Sequence, residues 1–273
     1  MAVYYNEFDP FAAAWLKELM ADGLIAKGTV DDRSIADVRP KDLEGFNQCH
    51  FFAGIGGWSA AARLAGWDDD RPMWTGSPPC QPFSVAGNRK GKDDLRHLWP
   101  VFFNLIRECR PPVVFGEQVA AAIRTGWFDD LQFDLEAEGY ATAMVVLPAC
   151  SIGAPHKRER LWTVAERMAN PNNSGLEGFG GFERINDKKR RQDTFGQHTE
   201  DSLRVPRWGN SRDMVCQDGK ARPIPIEPAL FPLANGIPNR VGILRGAGNA
   251  IVPALGAEII KTFINHKGDE NGI

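Results

Sequence analysis

The spacing of apolar and polar positions along the chain switches between two periods. Residues 2–7, AVYYNE, alternate loosely and are rich in Tyr and Val, which predicts a short strand. Residues 9–23 then read as a helix, with Asp9 as N-cap, Pro10 at the first helical position and Gly23 as the stop. An extended piece is expected over 29–35. CHFFAGIGG, 49–57, reads as a buried strand running into a glycine turn, and 58–67 as a helix closed at Gly66. Strands are expected at 71–76, 111–119, 141–149 and 161–167. Helices are expected at 95–109, despite Pro100, at 128–140 and at 249–266, the last with one apolar face. Strands alternating with helices argue for an α/β fold, a doubly wound and mostly parallel sheet. In such sheets ligands sit at the C-terminal ends of the strands, near the switch point.

The stretch 168–223 breaks the pattern, with Gly, Asn, Pro and charges and no sustained period. It divides the chain into a main domain, 1–167 with 224–273, and an insert. The formal charge of −3 is unremarkable, but its distribution is uneven: residues 1–80 sum to −5 and residues 183–222 to +3, with Lys188, Lys189, Arg190 and Arg191 in a row. A basic stretch on an acidic body suits a polyanion, although a solvated loop has the same composition. No apolar run approaches the roughly 20 residues that cross a bilayer, and the N-terminus lacks the basic start and apolar core of a secretory signal. The expectation is a cytoplasmic protein with no membrane partner. Its five cysteines are scattered without a CxxC pair, which suggests neither a disulfide framework nor a metal site.

Three features hold candidate chemistry. Gly54 and Gly56 lie between a strand and a helix, where glycine lets the backbone turn tightly and approach a ligand. Their spacing is not that of GxGxxG. Glu7 ends the first strand, where an acid accepts hydrogen bonds from ribose hydroxyls, or is merely exposed. Cys80 is held between Pro78-Pro79 and Gln81-Pro82, a thiol whose backbone is fixed on both sides.

Taken in order, FAGIGGW, SPPCQPFSVAG, GEQV, GAPHKRERLW and GAGNAIVP resemble the motifs of the DNA cytosine-5 methyltransferase family, over most of the chain outside 168–223. The resemblance implies an S-adenosylmethionine methyltransferase fold, with S-adenosylhomocysteine as product and carbon 5 of cytosine in duplex DNA as methyl acceptor. Cys80 would add to carbon 6 of a flipped-out base. Glu117 matches the acid of a Glu-Asn-Val motif, here with Gln118 in the middle, and would bond N3 and the exocyclic amine. Arg160 would bond O2, and Arg158 would steady the catalytic loop or a phosphate. The two arginines alternate by two and so share a side of an extended segment. His156 stands where the family has Gln. Phe52, Gly54, Gly56, Pro79 and Asn249 would line the cofactor pocket. Gln81, Ser84 and Arg89, in and after the cysteine motif, would meet DNA. Two other readings stay open: a catalytically inactive DNA reader, or the same chemistry on RNA.

One feature of the order departs from the family. The gap from Gly57 to Cys80 holds one helix and one strand, whereas the family places its ribose and adenine elements there. YYNEFDP and GTVDDRSIADV, at the N-terminus, look like those two elements. The implied arrangement is a circular permutation, with Glu7 on the ribose and Phe8 packed on the adenine. For the adenine element the register stays open between Asp31 and the pair Ser34-Ile35. Residues 168–223 occupy the target-recognition position. Lys188, Lys189, Arg190, Arg191 and Arg212 are its candidate DNA contacts, with Trp208 and Asn210. So short an insert suggests a homodimer on the duplex.

Overall fold

The computed structural model describes residues 2–79, 98–154, 156–168, 211–215, 221–225 and 246–270. Nine strands are described: β1 (Ala2–Asn6), β2 (Gly28–Asp31), β3 (Phe46–Phe51), β4 (Met73–Gly76), β5 (Val113–Val119), β6 (Tyr140–Pro148), β7 (Glu159–Arg167), β8 (Ser211–Val215) and β9 (Ala221–Pro225). Five helices accompany them: α1 (Pro10–Ala21), α2 (Gly57–Leu64), α3 (Trp99–Cys109), α4 (Trp127–Ala137) and α5 (Pro253–Glu270). The first seven strands form one sheet in the order β2-β1-β3-β4-β5-β7-β6. β2, β1, β3, β4 and β5 are mutually parallel, and β7 runs antiparallel between β5 and β6. The expected doubly wound, mostly parallel sheet is therefore present.

Local signals explain most boundaries. The Asp9 carboxylate accepts from the amides of Phe11 (2.9 Å) and Ala12 (3.2 Å), two donors the first turn of α1 leaves free. Pro100 lies in the first turn of α3, where a missing N–H costs nothing, so it marks a helix start rather than an interior interruption. Both faces of the sheet are covered. On one, Tyr4, Cys49, Phe51 and Trp74 pack under α3 and α4. On the other, Tyr5 packs under α1, and Met73 and Phe115 pack under α2 and α5.

The connections between the parallel strands do not all share one hand. α1 leads from β1 outward to β2, and α3 leads in the opposite direction from β4 to β5 on the opposite face. Both crossovers thus have the usual right hand. α2 leads from β3 to β4, the same direction as α3, yet it lies on the face of α1: the Tyr5 hydroxyl bonds Ser59 Oγ at 2.9 Å, and Trp58 packs 6.2 Å from Phe115. This crossover therefore has the opposite hand. Had the chain passed from α2 to β1, as an unpermuted order requires, α2 would sit on the correct side for a right-handed connection. This is the hand that the permutation expected from motif order would produce.

Two regions add to the sequence reading. Within the stretch that shows no sustained period, β8 and β9 form an antiparallel pair, and β9 runs to Pro225. The sequence between them carries Asp218-Gly219, a pair common in hairpin turns. Toward the C-terminus, the segment Gly246–Lys267, which includes most of α5, is long and apolar enough to cross a membrane, although the sequence shows no uninterrupted apolar run of that length. Length and composition alone do not make it a span. Its Leu255, Ala257 and Ile260 are buried in the core, while Lys261 and Glu258 form an exposed ion pair on its outer side.

Candidate active site

The C-terminal ends of the parallel strands gather two groups of the expected residues. At the first, the chain leaves β1 with Glu7. Its Oε2 accepts from the amide of Gly54 at 2.7 Å and its Oε1 from the amide of Asp9 at 2.8 Å. One carboxylate thus joins two expected cofactor elements that lie 47 residues apart. The loop it grips turns through left-handed backbone at Phe52 (φ 52°), Gly54 (φ 56°) and Gly56 (φ 77°). Gly56 caps α2, and a side chain there would press on Ile25 and Leu16. A side chain at Gly54 would meet nothing within 4 Å, so that side of the loop is open. Phe52 packs edge-on against Phe102, and Phe8 is 71% exposed.

The two registers considered for the adenine element lie in different surroundings. Asp31 is taken up by the protein: Tyr4 donates to it at 2.7 Å and Arg33 pairs with it at 2.6 Å. The Arg33 guanidinium holds its carboxyl down at about 2. Ser34 caps a short 3-10 turn by accepting from the Ala36 amide, and Ile35 is buried in the core under α3. The Ser34-Ile35 pair therefore has structural work, because an apolar side chain at that position is drawn into the sheet's covered face. Sequence reasoning overlooked Asn6. It is buried, and its amide donates to the carbonyls of Asp31 (3.2 Å) and Arg33 (2.9 Å), fixing this loop from the neighbouring strand.

The second group lies at the ends of β5 and β7. Arg160 stands opposite Val119, so on an antiparallel pair it is the diagonal neighbour of Glu117. Its Nε meets Glu117 Oε1 at 2.8 Å. Glu117 is 9% exposed, and burial raises its affinity for a proton while Arg160 and Arg158 pull the other way. Arg158 lies just before β7 in left-handed backbone (φ 32°) and donates to the carbonyl of Ala250 at 2.6 Å. Burial and the neighbouring Arg160 weaken its hold on its proton. Arg160 thus contacts Glu117 directly and also bonds the Glu159 carbonyl, while Arg158 acts on Glu117 only through its charge. Asn249 is exposed one residue before Ala250, and His156 is exposed.

The neighbour of Glu117 reaches toward the cysteine motif. Gln118 is buried and donates through Nε2 to the carbonyl of Pro78 at 3.0 Å. Pro78 is buried and Pro79 exposed. Cys80, Gln81, Ser84 and Arg89 lie outside the described residues, as do Lys188, Lys189, Arg190 and Arg191. Arg212 is on β8, opposite Ile224. Among the described residues no cluster of His, Cys, Asp and Glu is arranged to hold a metal ion.

Residues 68–217, more than half of the chain, match the family model for C-5 cytosine-specific DNA methylase. The chain belongs to this family. The matched span contains Cys80, Glu117, Arg158 and Arg160 of this DNA methylase, while Glu7 and the glycine turn precede it. The Type II methyltransferase M.AplI of Arthrospira platensis is 35% identical over 96 residues, 34% of this chain and 28% of that protein. M.AgeI of Thalassovita gelatinovora is 31% identical over 120 residues, 41% of this chain and again 28% of the relative. M.HhaI of Haemophilus parahaemolyticus is 26% identical over 172 residues, covering 48% and 52%. The C-5 DNA methylase described here therefore aligns with under a third of the first two relatives. Among solved structures, a mutant of Spodoptera frugiperda DNMT2 overlays with a TM-score of 0.43 at 16% identity, covering 63% of this chain and 43% of that one.

Proposed function

We propose that the chain transfers a methyl group from S-adenosylmethionine to carbon 5 of cytosine in duplex DNA, with Cys80 as covalent nucleophile. The reading puts it in the cytoplasm, acting on nucleoid DNA. One observation supports it: the adjacent β5 residues Glu117 and Gln118 engage, respectively, Arg160 and the carbonyl of Pro78, which is two residues before Cys80 in the sequence.

The order of events follows from the base. Carbon 5 of cytosine is a weak nucleophile. Addition of a thiolate to carbon 6 converts the ring to an enamine and makes carbon 5 nucleophilic. Negative charge then builds toward N3, and a carboxyl group whose burial raises its proton affinity is suited to supply or share a proton there. Arg160 keeps Glu117 oriented and limits how far burial can raise it. After methylation, loss of the carbon 5 proton and expulsion of the thiolate restore the aromatic ring and the free enzyme. The target must leave the duplex stack for any of this to occur.

The residues present fit the cofactor. Glu7 has both carboxylate oxygens at the rim of the open Gly54 loop, and Phe8 stands exposed beside it. Glu7 would hold the ribose and Phe8 the adenine. S-adenosylmethionine supplies an electrophilic methyl group when bound. The insert with Arg212 and the basic run would contact the duplex, with two chains on one site.

Cys80→Ser should abolish methyl transfer to unmethylated DNA while S-adenosylmethionine binding, followed by calorimetry, stays near normal. Duplex DNA carrying 5-fluorocytosine should trap the unmodified protein covalently. Equal trapping of the Cys80→Ser protein would refute the assignment.

A further inference from the structure

The two edges of the seven-stranded sheet are built differently. β2, at one edge, is four residues long and ends at Asp31, which pairs with Arg33 at 2.6 Å. Short length and charge protect an edge from pairing with another chain. β6, at the other edge, runs nine residues, YATAMVVLP, without one charged side chain. Among the described residues no strand pairs with its outer side. The start of β6 is covered: Tyr140 is buried, and the Thr142 hydroxyl donates to Glu136 of α4 at 3.1 Å. Beyond it Met144, Val145 and Val146 are 40%, 40% and 38% exposed. As consecutive residues of a strand they present apolar surface on both faces.

The end of the β6–β7 ladder fixes which backbone groups of β6 are unused. Met168 donates to the carbonyl of Gly139 at 2.9 Å, so the backbone of Gly139 faces the β7 side. Facing alternates along an antiparallel pair. Ala141, Ala143, Val145 and Leu147 therefore turn their N–H and C=O groups to β7. Thr142, Met144 and Val146 turn theirs outward, together with the carbonyl of Pro148. A second β6 can lie antiparallel along this edge with Val145 opposite its own copy. Met144 then stands against Val146, and Thr142 against Pro148. Outward groups meet outward groups at each pair, and the Pro148 carbonyl accepts from Thr142 although proline returns no N–H. The two Val145 side chains form the close, non-hydrogen-bonded kind of pair. Because β6 carries no charge, its copy brings no like charge against it.

We propose that β6 is the seam of a twofold homodimer that forms without DNA, joining two sheets edge to edge through Thr142–Pro148. In strand addition main-chain hydrogen bonds supply the affinity, so one long edge suffices. The outer edge on each side is then the short, charged β2, and assembly stops at two chains. The axis turns the C-terminal strand ends of the two sheets in opposite directions. The seam is thus separate from two chains sharing one DNA site, and it stands whether or not the chain methylates DNA.

The test is sedimentation velocity of the full chain without DNA, from about 1 to about 100 μM, for wild type, Val145→Lys and Val145→Glu. Melting temperature confirms that each is folded. Wild type should pass from monomer to dimer with concentration. Each variant alone sets like charges opposite each other and should stay monomeric. An equal mixture of the two should dimerise again, because Lys then faces Glu across the axis. A wild type that stays monomeric overturns the proposal, whether another part of the chain covers the edge or nothing does. So do variants that dimerise as wild type does, a mixture that fails to recover, or assemblies larger than a dimer. Should the charged variants fail to fold, Val145→Cys replaces them. Opposite Cα atoms in such a pair lie about 4.5 Å apart, within reach of a disulfide. Mild oxidation should crosslink this variant well beyond wild type, whose own Cys150 is exposed. Crosslinking no greater than wild type's overturns the proposal equally.

Discussion

The two ends of the site handle a carboxylate in opposite ways. At the β1 end Glu7 is half-buried and satisfied by backbone amides of Gly54 and Asp9. At the β5 end Glu117 is buried and answered by a guanidinium. Amides on a loop rim leave a carboxylate accessible and able to accept further bonds from a polar ligand. Burial against an arginine raises proton affinity and withholds water, which suits an acid that must exchange a proton during a reaction. The same residue type thus meets two different environments according to how deep its strand end lies, which is the basis for proposing a binding role for Glu7 and an acid–base role for Glu117.

The sharpest way to break the contrast is Glu117→Gln. It keeps the size and removes the proton chemistry, so methyl transfer should fall roughly 10²- to 10⁴-fold. Thermal melting should move little, and a normal rate would put the acid elsewhere. Next is Arg160→Leu, which leaves Glu117 buried without its partner. Breaking a buried pair costs about 3–5 kcal/mol, readable as a lower denaturation midpoint. Adding Glu117→Gln to Arg160→Leu should restore much of that stability. At the other end, Glu7→Ala removes charge-assisted bonds worth roughly 1.5–3 kcal/mol each. Calorimetry should show at least about tenfold weaker S-adenosylmethionine binding, with Glu7→Gln intermediate. Unchanged affinity would separate Glu7 from the cofactor.

A subtler effect belongs to the core between the two ends. His50 is fully buried, bonded through Nδ1 to Thr75 Oγ1 at 2.8 Å and stacked on Tyr5. Burial lowers its pKa to about 3 from 6.5. The unfolded chain binds a proton below 6.5 and the folded chain does not, so stability is full above that pH and declines as pH falls toward 3. Urea midpoints measured across this window should fall with acid, and the His50→Phe protein should show a shallower slope. The smallest expected effect tests the permutation. Moving residues 2–44 to follow Asp69, with the new chain starting at 45, restores a right-handed crossover from α2. Cofactor affinity should be nearly unchanged, since the contacts of Glu7 with Gly54 do not depend on chain order.

Much of this was readable because the chain's local rules agree with its fold. The caps at Asp9 and Gly23, the glycine turn and the alternating strands are decided by neighbours in sequence, and they appear within a few residues of where they were expected. The order of motifs suggested a displaced ribose element, and the hand of the α2 crossover is the one such a displacement would produce. The β8–β9 pair was legible in Asp218-Gly219 but hidden by the polar composition around it.

Other facts exist only once the sheet is assembled. No local pattern says that Glu7 will grip Gly54, that Asp31 will be spent on Arg33, or that Ile35 will turn into the core. Nor does the sequence show that Asn6 and Gln118, two ordinary amides at strand ends, each reach sideways to the loop after the neighbouring strand. Hydrogen-bond partners far apart in the chain are chosen by strand order and register, which arise from burying both faces of the sheet together. The motifs by themselves determined which chemistry the chain resembles. Tertiary packing decided which side chains are free for a ligand, which are held by the protein, and how deeply Glu117 is withdrawn from water.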